Sequence, residues 1–240
     1  MTHKDRRQDR VLVFIPSFGD SAILPDLVAA IRRLGPRYRP LIVDDGSANP
    51  VAADLESALY VRLPANFGLG VCTQIAFLHA LRHHYYAVTR IDADGQHQVE
   101  DIPRLMAKID SGDADVVVGE RANHAVGRTP IALARRLLKA YFRLVAHTLT
   151  SGKAPRDLNS GLFAAQLGAV RVLSRTTLER YPEPEIFVTA CRSGLRLATV
   201  PVRQLARAEG TSTLGFVAGI QMFFRFNVFA LNELLRKKDP

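Results

Sequence analysis

The chain has 240 residues, 48% of them hydrophobic, and 32 lysines and arginines against 23 aspartates and glutamates give it a formal charge of +9. That content supports a packed core and excludes a disordered chain, the length fits one large domain or one domain with an appendage, and the charge calls for an anionic partner such as phosphate, nucleotide, nucleic acid or an acidic membrane surface. Two distant cysteines, Cys72 and Cys191, exclude both a secreted disulfide framework and a paired zinc site, so a reducing cytoplasm suits them.

Residues 1–10 are polar and mixed in charge, and the apolar run after them ends at Pro16, which argues against a secretory signal. Residues 11–15 read as a buried strand, 23–34 as a helix, and 40–43 and 60–63 as strands. Residues 68–84 then look helical, 87–91 form a strand, 99–111 a helix and 115–118 a strand. Thr129-Pro130 is a good helix start, and the helix continues over 131–149 to a stop near Gly152. After a loop at 151–156, the pattern gives a short strand at 161–165, helices at 167–174 and 184–193, a strand at 197–200, and a last helix at 216–236. Strands alternating with helices imply an α/β fold with a mostly parallel central sheet and helices on both faces. No internal repeat or low-complexity linker divides it.

The most informative stretch is Ile91-Asp92-Ala93-Asp94-Gly95-Gln96-His97. Alternate residues of an extended segment project to one face, so Asp92, Asp94 and Gln96 can converge on a single hard cation, and Mg²⁺ or Mn²⁺ prefers such oxygen ligands. The competing reading is a polar turn after a strand. A second acidic strand end, Asp44-Asp45-Gly46-Ser47, weighs against it, because adjacent acids need water, a cation or a ligand's hydroxyls nearby. These two runs, together with Pro16-Ser17-Phe18-Gly19-Asp20 and Asn66-Phe67-Gly68-Leu69-Gly70, all occupy strand ends, where open α/β sheets bind ligands. The glycines Gly68 and Gly70 shape a turn and allow close backbone approach to a nucleotide. His97 reads as structural or solvated.

The ordered set of these motifs resembles the family 2 glycosyltransferases, within them the dolichyl-phosphate mannose synthase branch that glycosylates polyprenyl phosphates. The resemblance runs from about Val11 to Ser212 and includes Val118-Gly119-Glu120-Arg121, Asp157-Leu158-Asn159-Ser160-Gly161 and Arg207-Ala208-Glu209-Gly210-Thr211-Ser212. It implies the GT-A, or nucleotide-diphosphosugar transferase, fold over residues 1–212, with a donor half at about 10–121 and an acceptor half at about 122–212. It implies further that Pro16, Phe18, Asp20, Asp45, Gly70 and Asp92 bind the donor, a UDP- or GDP-sugar, and that Asp92, Asp94 and Gln96 hold Mg²⁺ or Mn²⁺. Gly19 and Asp20 depart from the asparagine and glutamate more usual there, which leaves the base preference open. Catalysis is expected of Asp94, Arg121 and Asp157, and acceptor or phosphate binding of Arg128, Ser160, Glu185, Arg203, Arg207 and Ser212.

Displacing a nucleoside diphosphate requires neutralising charge on the leaving phosphate, which a metal and arginines such as Arg121 and Arg128 supply. Two acceptors remain open. A polyprenyl phosphate is already ionised and needs no strong base, whereas a saccharide hydroxyl needs a carboxylate, for which Asp157, Glu183 and Glu185 are available. Asp157 could instead cap a turn with Asn159 and Ser160.

The last helix is broadly apolar, with Gln221, Arg225, Asn232 and Arg236 in one wedge. Cover for it could come from a membrane interface on the cytoplasmic face, a separate membrane protein, its own domain or a second copy in a homodimer. A non-enzymatic basic nucleotide- or nucleic-acid-binding module fits the charge but lacks any recognisable RNA- or DNA-binding motif, so no nucleic acid partner is expected.

Overall fold

Alternation within the first apolar run sets the architecture. Val11, Val13 and Ile15 point to one side of strand β1 (Val11–Ser17) and Leu12 and Phe14 to the other, and all five are fully buried. A strand apolar on both faces must lie inside a sheet covered on both sides. The computed structural model describes residues 9–19, 21–50, 58–121, 130–176, 182–203 and 216–235.

The strands after β1 are β2 (Tyr38–Asp44), β3 (Leu59–Arg62), β4 (Ala87–Arg90), β5 (Val116–Arg121), β6 (Phe163–Gln166) and β7 (Leu197–Val202). They form one sheet in the order β3-β2-β1-β4-β6-β5-β7. All neighbours pair in parallel except β6, which runs antiparallel to both β4 and β5. The carboxyl ends of β1, β2, β4 and β5 therefore share one rim. Reversed β6 begins at that same rim, with Phe163 opposite Arg90 and Val118.

Helices α1 (Leu24–Arg33) and α3 (Asp101–Asp110) cover one face. Leu24, Leu27, Val28 and Ile31 repeat the spacing of Ile102, Leu105, Met106 and Ile109, so each helix buries a single stripe. The opposite face carries α2 (Leu69–Arg82), α4 (Pro130–Leu149), α5 (Leu167–Leu173), α6 (Glu183–Arg192) and α7 (Phe216–Leu235).

The terminal helix α7 packs on its own domain through Met222, Phe226 and Ala230. The Phe226 ring meets Phe142 of α4 edge-on at 4.9 Å, and Phe223 meets Tyr141 at 5.0 Å. Buried Glu233 accepts from Arg192 Nε of α6 at 2.6 Å, and Arg192 also donates to the Glu233 carbonyl.

The expected elements are present, with shifted ends. β7 runs on to Val202 because it pairs with β5 as far as Arg121. The strand expected from residue 161 starts at Phe163, because the Ser160 hydroxyl donates to the Gly119 carbonyl at 2.6 Å and holds the entry as a turn.

Candidate active site

The two acids closing β2 have separate tasks. Asp44 accepts from the Ser47 amide at 2.9 Å and the Tyr60 hydroxyl at 2.7 Å. Burial alone would raise its pKa, but these hydrogen bonds and the charge of Arg62 more than reverse that, so the carboxyl lies below its ordinary range. Asp45 turns the other way and accepts from the amides of Phe67 and Gly68 at 2.7 and 2.8 Å, fixing the Asn66 to Gly70 loop against the rim. Gly46, which follows Asp45, sits at φ +76°, and a Cβ there would come within 2.6 Å of the Ala65 backbone, so the crossing of the two loops admits only glycine. Pro16 is half-buried and Phe18 exposed at the end of β1, and buried Gly70 lies in the first turn of α2.

The end of β4 delivers Asp92 and Asp94 to the same rim. The extended course expected for residues 92–96 is not what forms: β4 ends at Arg90, Gly95 at φ +71° turns the chain, and Asp94, partly buried, accepts from the Gln96 amide at 3.1 Å across that turn. Asp92 Oδ1 accepts from Nε and Nη2 of Arg90 at 2.9 and 2.7 Å. Burial works against ionisation of Asp92, yet the adjacent Arg90 guanidinium outweighs it and holds the pKa low, with smaller help from His97 and Arg121. Burial depresses the pKa of His97, with the Asp92 charge opposing it.

Reversed β6 explains why the Asp157 to Gly161 run belongs to this site. Arg121 at the end of β5 forks onto Asp157 with bonds of 2.5 and 2.8 Å and donates to the Asn159 carbonyl at 2.8 Å. Burial raises the pKa of Asp157, but Arg121 reverses the shift and leaves it below the ordinary carboxylate range. Gly161 lies directly against Asp92, since a Cβ on it would fall 1.8 Å from Oδ2. Ser160 is wholly buried with its hydroxyl bonded to the main chain, Glu185 is buried in the first turn of α6, and Arg203 is exposed just after β7. Asp20, Arg128, Arg207 and Ser212 lie outside the described residues.

Two residues that sequence reasoning passed over or placed differently complete the cluster. Arg90, fully buried, also sets Nη1 2.9 Å from Glu183 Oε1, so Glu183 is an ion-pair partner here. The available signal was an arginine as the one charge in the strand-like run 87–91.

Among the described residues no group of three His, Cys, Asp or Glu side chains is arranged to hold a metal alone. The donor set nevertheless fits Mg²⁺ or Mn²⁺, which commonly takes one or two carboxylates and completes its shell with substrate phosphates and water. Three buried polar atoms with no hydrogen-bond partner, Arg90 Nη1, His97 Nδ1 and Asn159 Oδ1, lie on residues of this cluster, and others lie at Gln74, Asp101 and Thr189.

A seven-stranded, mostly parallel sheet with helices on both faces and its motif loops on the carboxyl-end rim is the GT-A fold. The chain belongs to glycosyl transferase family 2, whose model matches residues 12–168, and it is a glycosyltransferase. It is 28% identical over 223 residues to the undecaprenyl-phosphate mannosyltransferase of Micrococcus luteus, covering 85% of this chain and 87% of that one. It is 32% identical over 124 residues to the polyprenol monophosphomannose synthase of Mycolicibacterium smegmatis, a match that spans 48% of this chain and only 46% of that relative. Its fold is similar to glucosyl-3-phosphoglycerate synthase from Mycobacterium tuberculosis, solved with Mn²⁺, uridine diphosphate and phosphoglyceric acid, at a TM-score of 0.69 and 18% identity, covering 95% of this chain and 80% of that one.

Proposed function

We propose that the protein transfers a sugar from a nucleotide-sugar donor to a polyprenyl phosphate, with inversion at the anomeric carbon and a divalent metal at the donor diphosphate, on the cytoplasmic face of a membrane. Relatives named for undecaprenyl-phosphate mannosyl transfer and polyprenol monophosphomannose synthesis support the acceptor class, and a similar fold solved with Mn²⁺ and uridine diphosphate supports the metal and donor.

The observation that carries the acceptor reading is the state of the carboxylates. A hydroxyl acceptor needs a base to take its proton. Of the three candidates, Asp157 is forked by Arg121 with its pKa held low, Glu183 is paired with Arg90, and Glu185 is buried in the first turn of α6. A phosphate monoester has its second pKa at about 6, below physiological pH, so its oxygen attacks with no proton to remove.

In this reaction an acceptor phosphate oxygen attacks the anomeric carbon opposite the nucleoside diphosphate, and the new C–O bond forms as the bond to the leaving phosphate oxygen breaks. Asp92, Asp94 and Gln96 would hold the metal, which when bound neutralises charge on that leaving group. Pro16, Phe18, Asp20, Asp45 and the backbone at Gly70 would enclose the nucleoside. Arg128, Arg203, Arg207 and Ser212 are assigned to the acceptor phosphate, for which a guanidinium fork is well shaped.

The test is transfer of label from UDP-, GDP- and dTDP-sugars into the organic phase with polyprenyl phosphate and Mn²⁺ or Mg²⁺. Labelled lipid from the wild type, lost with EDTA and with Asp94→Ala, is the expected result. Label appearing only in a saccharide acceptor would replace the lipid-phosphate reading.

A further inference from the structure

Arg90 heads the fully buried side chains of the described residues in size. A guanidinium at the end of a central strand is expensive to desolvate unless every face of it is paired. Its Nε and Nη2 donate to Asp92 Oδ1, and its Nη1, which makes no aligned hydrogen bond, is compensated by the charge of Glu183, whose Oε1 lies 2.9 Å away. On the far side, Asp92 Oδ2 abuts Gly161, where even a Cβ would be only 1.8 Å away. The Asp92 carboxylate is thus gripped at one oxygen and walled at the other, which fixes its rotation. Glu183 opens α6, so the first turn of that helix is tied to the strand that delivers Asp92 and Asp94.

We propose that Arg90 is a positioning residue for the donor site. It fixes the Asp92 carboxylate, Glu183 holds Arg90 in turn, and together they present Asp92 and Asp94 to a metal-bound nucleoside diphosphate in one arrangement. The inference rests on the donor-site reading above. Partners that orient a ligating carboxylate generally change metal-linked affinity roughly 10- to 100-fold when replaced. Lysine at this position keeps the charge and loses the fork.

The experiment is a double-mutant cycle read by calorimetric titration of UDP and GDP in the presence of Mn²⁺, with a thermal melt of each protein without nucleotide. Arg90→Lys and Glu183→Gln should each weaken binding roughly tenfold or more. Arg90→Lys added to Asp92→Asn should change affinity by less than about twofold, because the arginine acts through Asp92. Should Arg90→Lys fail to fold, Glu183→Gln alone and combined with Asp92→Asn carries the same comparison. Wild-type affinity in the folded variants, or full additivity with Asp92→Asn, would overturn the proposal even if melting temperatures fall. Absence of binding by the wild type would instead overturn the donor-site reading on which it depends.

Discussion

Glycine identity is a sharp constraint at Gly46 and Gly161 on the rim and is idle at Gly168, and the difference is measurable. Gly161 lies against the Asp92 carboxylate, whereas Gly168 on α5 has nothing within 4 Å of where a Cβ would be. Gly161→Ala should therefore cost about 1–3 kcal/mol through overpacking, and should lower transfer activity by displacing Asp92. Gly168→Ala should stabilise the fold by about 0.5–1 kcal/mol through reduced backbone freedom of the unfolded chain, with activity unchanged. Chemical denaturation and the transfer assay on both variants check the contrast; equal effects would mean that Asp92 is not seated against Gly161.

Helix α6 is pinned at both ends by arginine and glutamate pairs: Glu183 to Arg90 of β4 at its start, and Arg192 to Glu233 of α7 at its finish. The second pair is almost wholly buried, with side-chain exposures of 13% and 4%. Glu233→Ala leaves Arg192 without that partner in the interior and should cost about 3–5 kcal/mol, whereas Asp110→Ala, which breaks an exposed pair with Arg37, should cost about 0–1 kcal/mol. Urea unfolding of the two variants measures the difference. A small loss for Glu233→Ala would mean that α7 is held by its aromatic contacts with α4 alone.

Across the molecule, charge and apolar surface coincide on the two helices α4 and α7. Leu137 and Leu144 on α4 and Phe224, Val228, Leu231 and Leu235 on α7 are exposed, each at helical spacing along one stripe. Arg136, Lys139, Arg143 and Arg225 are exposed beside them, and neither helix exposes an acid among the described residues. No helix of the described residues is long and apolar enough to cross a membrane. Such a surface suits the interface of an anionic bilayer, where each basic residue contributes about 1 kcal/mol. The protein should float with phosphatidylglycerol vesicles and far less with phosphatidylcholine vesicles, and Leu144→Gln with Leu231→Gln should weaken the association while leaving the melting temperature within about 2 °C, as exposed substitutions do. Equal flotation with both lipids would exclude the electrostatic part of this reading.

The local pattern of the sequence fixes the alternating strands and helices and the cluster of motifs at strand ends, because periods of 2 and 3.6 residues are properties of the backbone. The strand period does not extend to Asp92, Asp94 and Gln96, because β4 ends at Arg90 and residues 93–95 turn with Gly95 at φ +71°, so their arrangement is set by the turn. What the pattern leaves open is which of two adjacent acids turns outward, and only the fold decides that Asp44 serves Tyr60 and Ser47 while Asp45 holds the Phe67 to Gly68 turn. The antiparallel course of β6, which carries Asp157 to Gly161 onto the rim, likewise depends on sheet pairing rather than on any local signal. Arg90 was visible as the one charge in a strand-like run, but its meaning lies in Glu183, far away in the chain. Contacts between distant segments are set by how layers pack, and there the tertiary structure turns a candidate base into the anchor of an arginine.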